Sequence, residues 1–193
     1  MADPALARAR ADTYRLLARL CLAEVDARLL AALRETAEFG PTLSGDDEPL
    51  LAALRAEYAR LLLFNVVPYE SVYVDEQMML NTAATVAVVE AYREGAYSPA
   101  GQVGAPDHVG LELGFVGHLA LAEAKAWERG EEAEVARLQT LQATFLAAHL
   151  GRWAPIWATA LGRLARHPFY GALAAVVRDF VLAELDAALA PRG

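Results

Sequence analysis

The run Pro106-Asp107-His108-Val109-Gly110-Leu111-Glu112 puts two carboxylates and an imidazole between a Gly-rich stretch and a long apolar-periodic segment. Asp107 lies where a helix begins, so its carboxylate can accept bonds from N–H groups that the first turn leaves unpaired. His108 and Glu112 are four apart and share a helix face, within reach of each other. Two readings stay open from spacing alone: a capping Asp with a surface His–Glu pair, or a binding site. A helix N-terminus also favours anions. However, the chain has no lysine-bearing phosphate loop and no Gly-rich fingerprint after a strand.

Metal and nucleophile chemistry find little support. His108, His118, His149 and His167 are widely spaced, and no helix carries the Glu-x-x-His pairs of a di-iron bundle. Cys21 is the only cysteine, which excludes an internal disulfide and a multi-cysteine zinc site. Its neighbours Leu20 and Leu22 make it a buried structural thiol. No serine occupies a recognisable nucleophile setting. The sequence predicts a protein that is not an enzyme.

A second segment, Phe64 to Tyr73, is apolar and aromatic without a helical period, and Pro68 forbids a regular helix through it. It reads as an ordered, partly buried loop. Tyr69 and Tyr73 stand beside Glu70, Asp75 and Glu76. Such aromatics either plug the core or capture a peptide with apolar and arginine side chains, since arginine gains from carboxylates and aromatic faces together.

The elements that must position these residues are helices. Apolar periodicity predicts them over Pro4–Leu22, Val25–Ala37, a stretch after Pro49, Met78–Glu94, Asp107–Trp127, Glu131–Leu150, a segment around Pro155, and Phe169–Leu189. The fold class is therefore all-α, about eight helices. The Gly/Pro/Ser stretch Gly95–Gly104 is the best internal boundary. It divides an N-terminal lobe, 1–94, from a hinge loop, 95–106, and a C-terminal lobe, 107–193.

Composition narrows function further. At 193 residues and 56% hydrophobic the chain has material for a substantial core. Its formal net charge of −8 disfavours a sequence-independent grip on nucleic acid and favours basic partners. Lys125 is the only lysine, the other basic residues being arginines. No segment reaches the ~18 apolar residues of a membrane span. Met1-Ala2-Asp3-Pro4 lacks the basic and apolar regions of a secretory signal, so a soluble, cytoplasmic protein is expected.

Three runs in consistent order carry a family resemblance: Pro68-Tyr69-Glu70-Ser71-Val72-Tyr73, Pro106 to Glu112, and Phe145-Leu146-Ala147-Ala148-His149-Leu150. With Trp153-Ala154-Pro155 and Pro168-Phe169-Tyr170 they make the chain, roughly Tyr14 to Leu185, similar to the TorD/DmsD/NarJ family of cytoplasmic maturation chaperones for molybdenum-cofactor oxidoreductases. That family's hinge hallmark is Glu-Pro-x-Asp-His. Here Gly104 and Ala105 replace the first two residues, while Asp107 and His108 match.

The resemblance implies two helical lobes joined by a hinge. It also implies a chaperone that binds the signal or terminal peptide of a molybdopterin-dependent oxidoreductase precursor and holds it for cofactor insertion. It implies a peptide site at Tyr69, Ser71, Tyr73, Asp75, Asp107, His108 and Glu112. No cofactor is expected beyond a weak guanine-nucleotide affinity. The protein would be a monomer, or a homodimer formed by lobe exchange. A helical ligand-binding enzyme using His108 with Glu112 or Asp107, or a transcription regulator, are the alternatives. The second lacks a clustered basic recognition helix.

Overall fold

A computed structural model describes residues 3–76, 78–99 and 104–190. Among them the chain is helical throughout, with one isolated antiparallel bridge, Tyr69 to His108, and no strand. Helix α1 (Pro4–Leu22) opens on Asp3, whose side chain accepts the Ala5 N–H at 2.8 Å. Ala7, Ala11, Tyr14, Ala18 and Cys21 recur at helical spacing and form its buried face. Burial pushes the Cys21 thiol up to about 12, consistent with an inert packing role.

That face lies along α6 (Val109–Arg129), the most extensive helix pairing in the molecule. Two glycines permit the approach. A Cβ on Gly117 would lie 2.8 Å from the Tyr14 Cβ, and one on Gly110 would lie 2.5 Å from the Leu22 Cγ. The helices α7 (Glu132–Ala148), α8 (Leu150–Leu164) and α9 (Pro168–Leu189) complete the main body. Trp153, Trp157, Tyr14, Tyr170, Phe115 and Phe169 fill its centre.

One polar node braces four of these helices. The Arg10 guanidinium donates to both Glu184 carboxylate oxygens, through Nε at 2.9 Å and Nη2 at 2.6 Å. It also donates to Glu123 at 3.2 Å and to the Gln142 Oε1 at 2.9 Å. One cation thus stands against two carboxylates where α1, α6, α7 and α9 meet.

The N-terminal elements α2 (Ala27–Arg34) and α3 (Asp47–Tyr58) pack on the C-terminal part. Phe39 meets Phe169 at 5.4 Å, and the Tyr170 hydroxyl donates to the Leu54 carbonyl at 2.9 Å. Glu57 receives the Arg166 N–H at 2.6 Å and a bidentate pair of bonds from Arg60. Those bonds hold its carboxyl down at about 2. The core is therefore continuous between residues 1–94 and 107–193. Residues 100–103 of the expected hinge loop lie outside the described residues.

The structure corrects the expected elements at three places. The helix expected from Met78 begins at Ala83 as α5 (Ala83–Glu94), because Met78 and Asn81 take φ of 52° and 59° and Thr82 caps the start. The expected loop from Phe64 to Tyr73 is largely helical. A π-helix, Ala59–Asn65, continues α3, and Glu70–Val74 forms the short α4. Only the residues around Pro68 are extended, as its fixed φ and its effect on the preceding residue require. The helix placed after Pro49 starts at Asp47, with the proline in its first turn.

Gly117→Val forces a branched side chain into the α1–α6 contact. It should destabilise the fold by about 2 kcal/mol or more, read by chemical denaturation.

Candidate functional site

The Pro68–Tyr73 segment and the 106–112 run meet in space through backbone bonds. The Val109 N–H donates to the Pro68 carbonyl at 2.8 Å, and the Glu70 N–H donates to the Asp107 carbonyl at 2.9 Å. The Asp107 carboxylate then accepts the Ser71 N–H at 2.9 Å, inside the first turn of α4. A short helix cannot nucleate alone, so this long-range cap fixes α4 in place. The expected role of Asp107 is corrected accordingly: it caps α4, and the start of its own helix falls to His108. The His108 Nδ1 accepts the Gly110 N–H at 3.0 Å.

The expected His108–Glu112 surface pair is also not formed. Glu112 is fully buried and turns inward, where its Oε2 accepts the Trp153 indole N–H at 3.1 Å. His108 instead meets the Tyr69 ring edge-on at 5.2 Å. Burial drives its imidazole down to about 4 against the opposing pull of Asp107, so it is neutral at pH 7.

The seven expected site residues divide by access. Ser71, Asp107 and Glu112 are buried and frame the junction from within, whereas Tyr69, Tyr73, Asp75 and His108 keep part of their surface in solvent. Tyr73 packs on Trp153 at 5.4 Å. Asp75 closes α4, with its N–H donating to the Ser71 carbonyl at 3.1 Å.

Three further residues complete the junction, of which the sequence offers only Glu70, as an acid beside the tyrosines and not as a buried group. Glu70 is buried and accepts from the His149 Nδ1 at 3.0 Å. Trp153 donates its indole N–H to Glu112, and His149 faces Glu70. Their signal was present, since Glu70, His149 and Trp153 all lie inside the runs that carried the resemblance. Their convergence from α4, the α7–α8 corner and α8 has no local trace. Burial raises the Glu112 carboxyl well above its ordinary range, helped by neighbouring Glu70 and opposed by the Trp153 bond. Among the described residues, no arginine or lysine pairs with Glu70, Asp107 or Glu112.

The arrangement presents aromatic and imidazole edges over a carboxylate floor. Among the described residues no group of His, Cys, Asp and Glu side chains has the geometry to hold a metal ion. Residues 21–159, from the end of α1 well into α8, match the family described as nitrate reductase delta subunit. The chain belongs to that family. No curated protein matches it.

The nitrate reductase delta family comprises NarJ/TorD-like chaperones for molybdoenzyme maturation, not catalysts. The matched region contains the whole junction, with α9 outside it. No helix among the described residues is long and apolar enough to cross a membrane.

Two measurements check the site's physics. Asp107→Ala should lower stability by about 1–2 kcal/mol through loss of the α4 cap, read by denaturant unfolding. In an NMR titration the His108 ring should stay neutral down to about pH 4. A folded value below the ordinary 6.5 means that the unfolded chain binds this proton first. The His108 contribution is therefore complete above about pH 6.5 and is lost as pH falls toward 4.

Proposed function

We propose that this chaperone binds an apolar, basic peptide segment, a signal or terminal peptide, of a molybdopterin-dependent oxidoreductase subunit. It holds that segment for cofactor insertion before export or assembly. One observation carries the reading beyond the family's general role. Among the described residues six of the thirteen large hydrophobic side chains left exposed fall between positions 63 and 80, on either side of the Tyr69–Tyr73 segment. They are Leu63, Phe64 and Val67 before it and Met78, Met79 and Leu80 after it, with Phe64 at 77% exposure. Exposed apolar side chains grouped in this way mark an interaction surface, and methionine adapts to varied partners.

The energetics fit a chaperone's reversible grip. Apolar peptide side chains covering this segment gain about 25 cal/mol per Å² removed from water. Tyr69, Tyr73 and the neutral His108 add aromatic and polar edges. Asp75 and the overall charge of −8 favour the peptide's basic residues, which raises the association rate more than the affinity. The buried Ser71, Asp107 and Glu112 act by holding the platform in shape.

Calorimetric titration with a synthetic N-terminal peptide of the molybdenum-cofactor subunit tests the assignment. Phe64→Ser and Tyr69→Ala should each weaken binding about tenfold or more, the loss of one buried large side chain. Leu182→Ser, on exposed α9 surface away from the junction, should leave it unchanged. Folded Phe64 and Tyr69 variants that keep full affinity would remove the peptide from this face.

A further inference from the structure

We propose that the outward face of α8 docks an acidic amphipathic helix of a partner protein, a ligand opposite in charge to the basic peptide proposed for the 63–80 face. The shape of the α8 face selects a helix. Ile156, Thr159, Ala160 and Arg163 stand at positions i, i+3, i+4 and i+7, the four corners of a hole into which a facing helix inserts one side chain. With Leu164 they line an open hollow of about 450 Å³. Ala160 keeps the hollow open as the small residue between two large ones, Ile156 at 60% exposure and Leu164 at 48%. These three recur every fourth residue and make the kind of ridge that packs along another helix. The Thr159 hydroxyl is turned back onto the Pro155 carbonyl at 2.8 Å, so it needs no bond from a ligand. Trp153, Trp157 and Leu161 bury the opposite side of α8 in the core, which leaves the hollow facing away from the body.

Charge selects an acidic partner. Between Glu134 and Asp179 the chain has no Asp or Glu, yet it carries Arg137, Arg152, Arg163, Arg166 and Arg178, in a protein whose net charge is −8. Most arginines of the described residues stand against a carboxylate. So do the outer two of this segment, Arg137 with Glu134 and Arg178 with Asp179. The inner three do not. The Arg152 guanidinium reaches only the Ala148 carbonyl, at 3.3 Å, and the exposed Arg163 and Arg166 side chains pair with no carboxylate among the described residues. Glu57, packed against the end of α8, is already engaged by Arg60 and by the Arg166 and His167 N–H groups. Arg152 lies one turn before Ile156, and Arg163 is a corner of the hole. Unpaired guanidinium groups at both ends of an apolar hole fit a helix that flanks its inserted side chain with carboxylates. Flanking charges choose partners in coiled coils in the same way.

Nucleic acid and anionic lipid also carry negative charge, but the molecule disfavours both. Three arginines are few against the repulsion of a chain with net charge −8. Neither ligand offers a side chain for the hole, and the two tryptophans of α8 are buried, out of reach of a membrane surface. The α8 face is joined to the π-helix by two bonds, from the Arg60 Nη2 to the Leu164 carbonyl at 2.7 Å and from the Trp157 indole N–H to the Val66 carbonyl at 3.3 Å. A partner helix on α8 and a basic peptide at 63–80 therefore dock on adjoining elements, each by its own charge.

The test uses the full chain and a fluorescein-labelled synthetic helix of roughly three heptads, with leucine at a and d and glutamate at e and g. Fluorescence anisotropy should show binding that weakens about tenfold or more between about 50 and about 500 mM salt. The double variant Arg152→Glu/Arg163→Glu should weaken it about tenfold or more at low salt, since like charges then face each other. Ala160→Gln, which fills the hole without adding charge, should weaken it as well. Surface arginines without partners are replaced at little cost to the fold, and glutamine is a good helix former, so these variants should keep the wild-type unfolding midpoint. In the double variant, affinity for a lysine-for-glutamate version of the helix should not fall, nor should affinity for the client's basic N-terminal peptide. Failure of the glutamate helix to bind, binding that the double variant retains, or loss of the basic ligands along with it overturns the proposal. So does binding of phosphatidylglycerol vesicles in place of the helix, or sedimentation showing that a second copy of the chain covers the face through Arg163.

Discussion

A carboxylate cut off from water and from any cation must be matched by N–H donors or hold a proton, since burying it bare costs several kcal/mol. Three such groups, Glu70, Asp107 and Glu112, lie together in this molecule. Each is answered by a donor from a different part of the chain: His149 at the α7–α8 corner, the Ser71 backbone at the start of α4, and Trp153 in α8. Meeting that requirement ties α4, α6 and α8 into one junction. It also gives a five-residue helix, too short to form alone, a defined position.

The opposite end of the helix bundle meets the same requirement by other means. There Arg10 pairs with both Glu184 and Glu123, and Gln142 and the Tyr14 hydroxyl complete the network. With a cation at its centre, that node braces the helices. Among the described residues no arginine or lysine bonds the junction's carboxylates, so its integrity depends on the geometry of its N–H donors. One end of the body is held by ion pairs, and the other by N–H donors to buried carboxylates. The exposed apolar segment of the π-helix and of the 78–80 turn flanks the junction in sequence. π-helices are rare and are frequently found at functional sites.

Much of the architecture was legible because it is local. The 7, 11, 14, 18, 21 spacing in α1 and the long apolar period after Asp107 needed only helical geometry to be read. Helix ends marked by Gly130 and Pro168 were equally plain, since left-handed backbone and a missing N–H act within a turn. The reading failed where a distant partner overrides local preference. α4 exists because Asp107 caps it from 36 residues away, and Met78 and Asn81 delay α5 through left-handed backbone angles that asparagine tolerates but methionine rarely adopts. Ser71 and Asp107 were each singled out, but not the bond between them.

By itself the sequence determined the class, the helix faces, the acidic balance and the family, through the order of its Tyr-Glu-Ser-Val-Tyr, Asp-His and His-Leu runs. Periodicity, charge and motif order are properties of neighbours along the chain. Only the tertiary structure decided that Asp107 serves α4 and not its own helix, that Glu112 faces Trp153 and not His108, and that Glu70 and His149 complete the junction. Burial set those outcomes. A buried carboxylate takes whichever donor the packing brings within 3 Å or so. That choice depends on how α1, α6 and α8 close on one another, which no stretch of sequence records.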